Sequence, residues 1–488
     1  MKGNLFKSIS SGYVLFFLNS IVAIFLTPYI LKYISKEEYG LYILCIDFLA
    51  WFTFLEFGTN KVIESKAAHQ LAEDDYKSLN TSFNASFFFQ ILVGILIIPL
   101  FFYTIKENIN DEKISEANIL ILLFSISAGI SVFRSLYSAV IIATKKIYID
   151  NYIQIGLNIF NFLLVILLMP TLKLLGLAYI NLFIVVLILI RSHFRLKHLL
   201  PLVKVNFKKF EYSELKKLLG TGFYFTIGSI STILLVKIDS FIIGRELGLE
   251  VVGYFYITVK IFFLFQKVCN VFLNNFRPHI SQLYAKSQIK SIHIIFQFLN
   301  HKFLILILFF SPFLMVLNKY FVEFWVGNEF YLGNDFSILF GFAIVLEILT
   351  IPSRIVLISS LFDIKHINYF RGLEAVFRCI GIIVFYQYFG LNILPIMSII
   401  SSIIFGHFFF HFKILKFFKL DNIIKVNSNL SILTLLSVTV IFLFSVNSTS
   451  YFIYVIFIIS IIYLIKLFLK RFDFKKDFRE IKLLLNYY

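Results

Sequence analysis

Continuous apolar runs of about twenty residues recur along nearly the whole of this chain, and no other property restricts its fold as much. Stretches such as "NFLLVILLMP" and "INLFIVVLILI" leave no polar face for water. Strands of a membrane barrel alternate apolar and polar residues, so these runs argue against a β-barrel and predict helices that cross a bilayer. Hydrophobic residues are 59% of the 488 and charged residues 15%, with a mean hydropathy of +0.87, so the conclusion extends to the whole chain. The fold class is an all-α polytopic membrane protein.

About fourteen spans are predicted, near 10–31, 40–58, 81–105, 118–142, 151–170, 175–190, 220–243, 253–275, 303–324, 336–361, 369–388, 393–412, 430–446 and 451–469. The first follows Lys2 and Lys7 as a signal peptide would, but it is too long, contains Asn19 and Pro28, and lacks a small-residue cleavage site, so it reads as a retained helix. With the N-terminus inside, roughly 32 Lys and Arg fall on the cytoplasmic side and roughly 7 outside. The outer seven are Lys32, Lys36, Lys106, Lys113, Lys173, Arg245 and Lys319. The net charge of +17 is thus mostly a topology signal and calls for no nucleic-acid partner. Both termini of the multi-pass chain are expected on the cytoplasmic side of its membrane.

The basic connection from Arg191 to Leu219 divides the spans and is the natural lobe boundary. "YILKYISKEEYGLYILCIDFL" from Tyr29 resembles "IIGRELGLEVVGYFYITVKIFF" from Ile242, with Gly40 matching Gly253 at an offset of 213 residues. Asn151-Tyr152 and Asn368-Tyr369 match at an offset of 217. A repeat of an even number of crossings predicts two parallel six-helix lobes, here 1–190 and 220–412, joined by 191–219 and arranged around a central cavity. Residues 413–488 add two appended helices and a basic tail.

A charge at mid-bilayer costs about 2.5–3.5 kcal/mol on insertion scales, so embedded charges mark a wet interior or a partner. On the eighth span Lys260 and Lys267 lie about 20° apart around the helix, with Asn270 and Asn274 within about 80° of Lys260. This is one polar stripe, although Lys260 also lies within snorkelling reach of the outer interface. Arg134, Lys237, which points away from Asp239, and Arg354, which shares a helix face with Glu347, extend a cationic surplus that suits a phosphate or diphosphate guest. These seven are the candidate substrate-binding residues. Asp47 and Asp239 are candidates for coupling to protons or sodium, with pairing to a nearby Lys or Arg as the alternative. Glu374 is expected to pair with Arg378, and Glu56 to sit near the cytoplasmic surface.

Other chemistry leaves little trace. Cys45, Cys269 and Cys379 lie singly in apolar spans, and the nine histidines show no metal-ligand spacing. A phosphate loop of the GxxxxGK[ST] type is absent, as is a loop large enough for an extracellular catalytic domain. No cofactor is expected, nor an enzymatic activity.

The stretch "LTPYILKYISKEEYGLYILCIDFLAWFTFLEFG" resembles the opening of Wzx-type polysaccharide flippases, in Glu38, Gly40, Leu41, Tyr42, Glu56 and Gly58. "KIDSFIIGRELGLEVVGYFYITVKIF", with Asp239, Gly244, Gly253 and Tyr254, is similar to the family's passage between its seventh and eighth helices, and Pro278 to the proline that follows. The acid-x-Gly of the family is commonly Asp-x-Gly; Glu56 departs from it. The resemblance covers roughly residues 10–412 and points to the multidrug/oligosaccharidyl-lipid/polysaccharide exporter superfamily. It implies a flippase that carries undecaprenyl-pyrophosphate-linked oligosaccharide across the bacterial cytoplasmic membrane, for O-antigen, capsule or another polysaccharide, beside a polymerase and chain-length machinery. A multidrug cation antiporter on the same scaffold is the alternative.

Overall fold

The protein is described from a computed structural model over residues 2–107, 116–144, 147–274, 276–360 and 364–418. The two appended helices and the basic tail predicted beyond them lie outside the described residues. No strand occurs among the described residues, which are helical almost throughout. In order the helices are α1 (Lys2–Leu31), α2 (Lys36–Trp51), α3 (Thr59–Ala72), α4 (Tyr76–Glu107), α5 (Ala117–Ala143) and α6 (Ile147–Leu199). There follow α7 (Tyr212–Val236), α8 (Ile238–Glu246), α9 (Leu249–Asn274), α10 (Arg277–Ala285) and α11 (Ile289–Trp325). The last are α12 (Asn334–Ser359), α13 (Ile364–Phe389), α14 (Ile393–Ser401) and α15 (Phe408–Phe418).

Nine stretches among the described residues are long and apolar enough to cross a membrane, and two of them, of 52 and 54 residues, are far longer than one crossing needs. Both double back. In α6 the backbone leaves helical geometry at Lys173 (φ 44°, ψ −128°). About this point Phe160 meets Phe183 at a ring separation of 6.3 Å and Asp150 pairs with Arg191. Those contacts make α6 a helical hairpin and separate the predicted spans 151–170 and 175–190. From α13 to α15 the chain turns at Gly390 (φ +53°), which brings Arg378 against Ser398 (2.8 Å) and Phe370 against Phe409 (4.0 Å).

The chain forms two compact units, Met1–Tyr256 and Ile257–Tyr488. In the first, α5 packs along α4 and α6, and α1 along α6. Gly94 and Gly129 let α4 and α5 approach so closely that a methyl on Gly129 would lie 2.7 Å from the Gly94 carbonyl oxygen, the small-residue contact by which helices associate in lipid. A core of Val62, Ile63, Leu79, Phe83, Leu136, Tyr137, Val140, Leu196, Leu200 and Leu218 ties α3, α4, α5, α6 and α7 together at one end. Exposed Phe25, Leu96, Leu167 and Phe183 face outward, whereas Asn84, Gln90, Ser125 and Ser127 are fully buried. Apolar outside and partly polar inside is the arrangement a lipid solvent dictates.

In the second unit α12 packs against α11, α14 and α15. Asn318 on α11 donates to Thr258 O (2.9 Å) and to Ser337 Oγ (2.8 Å), so one buried amide fastens α9, α11 and α12. Hydrogen bonds of this kind contribute about 1 kcal/mol each between membrane helices.

Candidate functional site

The acid-x-Gly segment is where the second predicted span breaks. Ser35 and Glu38 form a capping box that starts α2, with Glu38 N donating to Ser35 Oγ (3.2 Å) and Ser35 N to the Glu38 carboxylate (2.6 Å). The helix tightens into a 3-10 turn over Phe52–Glu56 and is interrupted by Phe57 (φ 48°) and Gly58 (φ 63°), both left-handed, before α3 resumes at Thr59. A methyl on Gly58 would lie 2.4 Å from Gly222 O and one on Gly222 2.1 Å from Phe57 O. The break therefore needs glycine on both segments, for conformation at Gly58 and for room at Gly222.

The interruption turns Glu56 inward. Its side chain is buried, where the two left-handed residues redirect the chain toward α5. Its carboxylate accepts from Asn60 Nδ2 and from Ser135 Oγ, the latter at 2.6 Å. Asn60 Oδ1 in turn accepts from Gln90 Nε2 at 2.6 Å, and the same Gln90 nitrogen reaches Ser86 Oγ at 3.2 Å. A carboxylate, two amides and two hydroxyls from the α2–α3 break, α3, α4 and α5 form one buried polar network.

Beside it lies a cavity of about 480 Å³ within the first unit, whose wall includes Glu56, Lys61, Glu64, Arg134, Asp150 and Arg191. Three acids face three bases, with Asn60, Asn151, Gln154 and several serines between them. Arg191 and Asp150 form an ion pair across the α6 hairpin, and Arg195 approaches the same carboxylate at 4.0 Å. Along α6 a row of amides meets α1: Asn151 donates to Ser11 Oγ (3.0 Å), Gln154 to Asn158 (2.9 Å), and Asn158 to Asn19. Such a wall offers both donors and acceptors to hydroxyl groups, and guanidinium groups to an anion.

Of the residues singled out in the sequence, Arg134 lines this cavity. Lys237 does not join it. It caps α7 where the chain breaks into α8, and pairs with the buried carboxylate of Asp47, which also accepts from Ser240 Oγ at 2.5 Å. Asp239 is buried on α8. Arg354 stands 3.6 Å from Glu347, whose carboxylate also meets Arg371 (3.7 Å) and accepts from Gln266 (2.8 Å). The surplus reckoned from sequence thus loses Lys237, which meets an acid on a sequence-distant helix, and Arg354, which meets one two turns away on its own helix face. Glu374 is held at 2.9 Å by Arg371, and Arg378, its expected partner, donates to Ser398 Oγ at 2.8 Å. On α9 Lys260 is buried and Lys267 exposed, although they share a face; Asn270 bonds its own helix at Gln266 O, and Asn274 is exposed. Among the described residues, no group of three or more His, Cys, Asp or Glu is placed to hold a metal ion.

Residues 5–284 match the family model described as polysaccharide biosynthesis protein. Over 295 residues the chain is 20% identical to the uncharacterized membrane protein EpsK of Bacillus subtilis (strain 168), a similarity covering 58% of this chain and 57% of that relative. The chain thus matches less than two thirds of the curated relative's length. A multidrug resistance MATE family transporter of the MOP superfamily, solved in its inward-facing conformation, is 16% identical with a TM-score of 0.58 over 84% of this chain and 96% of that one. The MATE transporter VcmN of Vibrio cholerae in its bent form is 13% identical with a TM-score of 0.57, covering 87% and 97%. A MOP superfamily transporter from Pyrococcus furiosus, described as having a binding pocket of reverse polarity that suggests a different function, is 14% identical with a TM-score of 0.55, covering 85% and 94%. At these identities the shared property is the fold.

Proposed function

The chain belongs to the polysaccharide biosynthesis protein family, and from that membership we propose that it carries a lipid-linked oligosaccharide across the bacterial cytoplasmic membrane. The substrate would be an undecaprenyl-pyrophosphate-linked repeat unit for O-antigen, capsule or another polysaccharide. A polymerase with its chain-length machinery would act on the far side. The observation that supports this reading most directly is the 480 Å³ cavity, set in a unit of apolar helices yet walled by amides, hydroxyls, three acids and three bases. A polar head that cannot enter hydrocarbon finds there the partners it loses from water.

Transport proceeds by alternating access, with two parallel lobes exposing the head-group site first to one side and then to the other. Arg134 receives the anionic end of the head, and Lys260 and Lys267, with Asn270 and Asn274, form a separate cationic station on α9. Lys237 and Arg354 contribute through their ion pairs with Asp47 and Glu347. Ion coupling is assigned to Asp47 and Asp239, both buried carboxylates. A cation-exporting antiporter would be better served by a wall of carboxylates alone, whereas here each acid on the wall is matched by a base.

The test is a flipping assay in proteoliposomes with a fluorescent pyrophosphate-linked oligosaccharide lipid. Wild type should transport it, and Arg134→Ala and the double variant Lys260→Ala/Lys267→Ala should lose most of that transport with insertion intact. Wild type that moves cationic dyes and no such lipid would replace this reading with the antiporter.

A further inference from the structure

The basic connection between α6 and α7 is an ordered element. Asn80 and Asn84, one turn apart on α4, clamp it with both ends of their amides. Asn80 donates to Leu202 O (2.7 Å) and accepts from Lys204 N (2.9 Å). Asn84 donates to Lys204 O (2.9 Å) and accepts from Asn206 N (2.7 Å). The two side chains thus satisfy the connection's backbone as a neighbouring strand would. Val203 enters the core of the first unit, and Phe207 meets Phe88 edge-on at 5.1 Å and stacks on Phe210 at 6.1 Å.

Held this way, the segment turns an unusual set of side chains outward. Leu202, Val205, Phe207 and Tyr212 are exposed by 57%, 43%, 71% and 71%. Lys204, Lys208, Lys209, Lys216 and Lys217 are exposed among them. Of the two acids in the segment, Glu214 is turned to Lys66 and Ser82, at 2.6 Å from each, so the outward face is strongly cationic. Four large apolar groups are badly placed in water and five ammonium groups are badly placed in hydrocarbon. The headgroup boundary of a bilayer satisfies both.

We propose that residues 202–217 form a docking surface for anionic phospholipid headgroups of the cytoplasmic leaflet, with the lysines on phosphate and Phe207 and Tyr212 at the acyl boundary. Charge complementarity selects this occupant, since the inner leaflet carries the negative surface potential that draws juxtamembrane lysines. The proposal rests on the orientation read from the Lys and Arg distribution. Because the clamp fixes the backbone of the segment beforehand, binding need order only the lysine side chains.

Native mass spectrometry of the full-length protein in detergent, with added phosphatidylglycerol or phosphatidylcholine, reads this directly. Wild type should retain phosphatidylglycerol in preference. The triple variant Lys204→Gln/Lys208→Gln/Lys209→Gln should lower the apparent affinity roughly fivefold per lysine while leaving phosphatidylcholine unchanged. Asn84→Ala keeps every lysine and removes half of the clamp, and it should lower retention at least about twofold. Equal retention by wild type and the triple variant would overturn the surface, as would a wild type that does not distinguish the two lipids. Unchanged retention in Asn84→Ala would overturn its pre-ordered character, and displacement of the lipid by equimolar inorganic diphosphate would identify a bare phosphate site instead. Lipid retention is measured without transport, so failure here and failure of the flipping assay are separate results.

Discussion

Gly40 on α2 and Gly253 on α9 bring their two backbones into close contact, with the edge of the Tyr39 ring beside them. A methyl added to Gly253 would lie 3.8 Å from Gly40 N and 3.5 Å from Lys36 O, and one added to Gly40 would lie 1.8 Å from Leu249 O. Lys36 and Leu249 are separated by the same 213 residues as the two glycines. The residue that Gly40 faces and the residue that Gly253 faces are therefore related by the same offset as the glycines themselves. Lys36 also reaches Glu250, at 4.0 Å, across the same contact.

Substitution at this contact should be costly out of proportion to its size. Gly40→Ala must push a backbone carbonyl aside, which predicts a loss of about 1–3 kcal/mol. Gly156 is also helical, but a methyl added there would meet nothing within 4 Å, which makes it the control. Gly156→Ala should be neutral or stabilising by about 0.5–1 kcal/mol. Denaturation of the purified protein in one detergent compares the two; equal effects would mean that the close approach of α2 and α9 contributes nothing.

Asp47 and Lys237 make a second connection, between α2 and the α7–α8 break. The carboxylate is buried and the ammonium partly exposed, so the two deletions should differ. Lys237→Met leaves a buried charge supported by Ser240 alone and should cost about 2–4 kcal/mol. Asp47→Asn should cost less, and the double variant Asp47→Asn/Lys237→Met should be closer to wild type than Lys237→Met is. A double-mutant cycle measures this, and strict additivity would show that the pair is not coupled.

How much of this can be read from sequence depends on the scale of the interaction involved. The spans are legible because a bilayer selects length and apolarity, both of which are written in runs of single residues. The α2 start is legible as Ser35-x-x-Glu38, a signal local to four positions. The pairing of charges is not. Lys237 finds Asp47 at a separation of 190 residues, and spacing along one helix says nothing about such a partner. Glu56 escapes the sequence for a related reason: helical periodicity does not continue through Phe57 and Gly58, where the backbone is left-handed. Asn60, four residues from Glu56 and just past the glycine, is the signal that could have located the network.

That network predicts a difference between two ways of altering Glu56. Glu56→Gln keeps a carbonyl oxygen to accept from Ser135 or Asn60 and should cost about 1 kcal/mol. Glu56→Ala removes the shared acceptor, leaving Ser135 only Val132 O and Asn60 Nδ2 only Ser135 Oγ to donate to, for about 2–3 kcal/mol. Unfolding midpoints in detergent would separate them. If Ala and Gln are equally tolerated, the carboxylate does not organise the cavity wall.

The turn of the α6 hairpin gives a prediction of opposite sign. Lys173 has φ 44° and ψ −128°, a backbone state that costs a side-chain-bearing residue about 1–3 kcal/mol and glycine almost nothing. The residue is exposed, so its side chain contributes little packing to offset that strain. Relief of strain should therefore outweigh the extra chain entropy that glycine brings to the unfolded state, about 0.4–1 kcal/mol. Lys173→Gly is expected to stabilise the protein by about 1 kcal/mol, and Lys173→Val to destabilise it because branching at Cβ deepens the clash. Thermal unfolding of the three proteins under one condition decides the matter: a Lys173→Gly variant less stable than wild type would mean that the hairpin turns without strain at this residue.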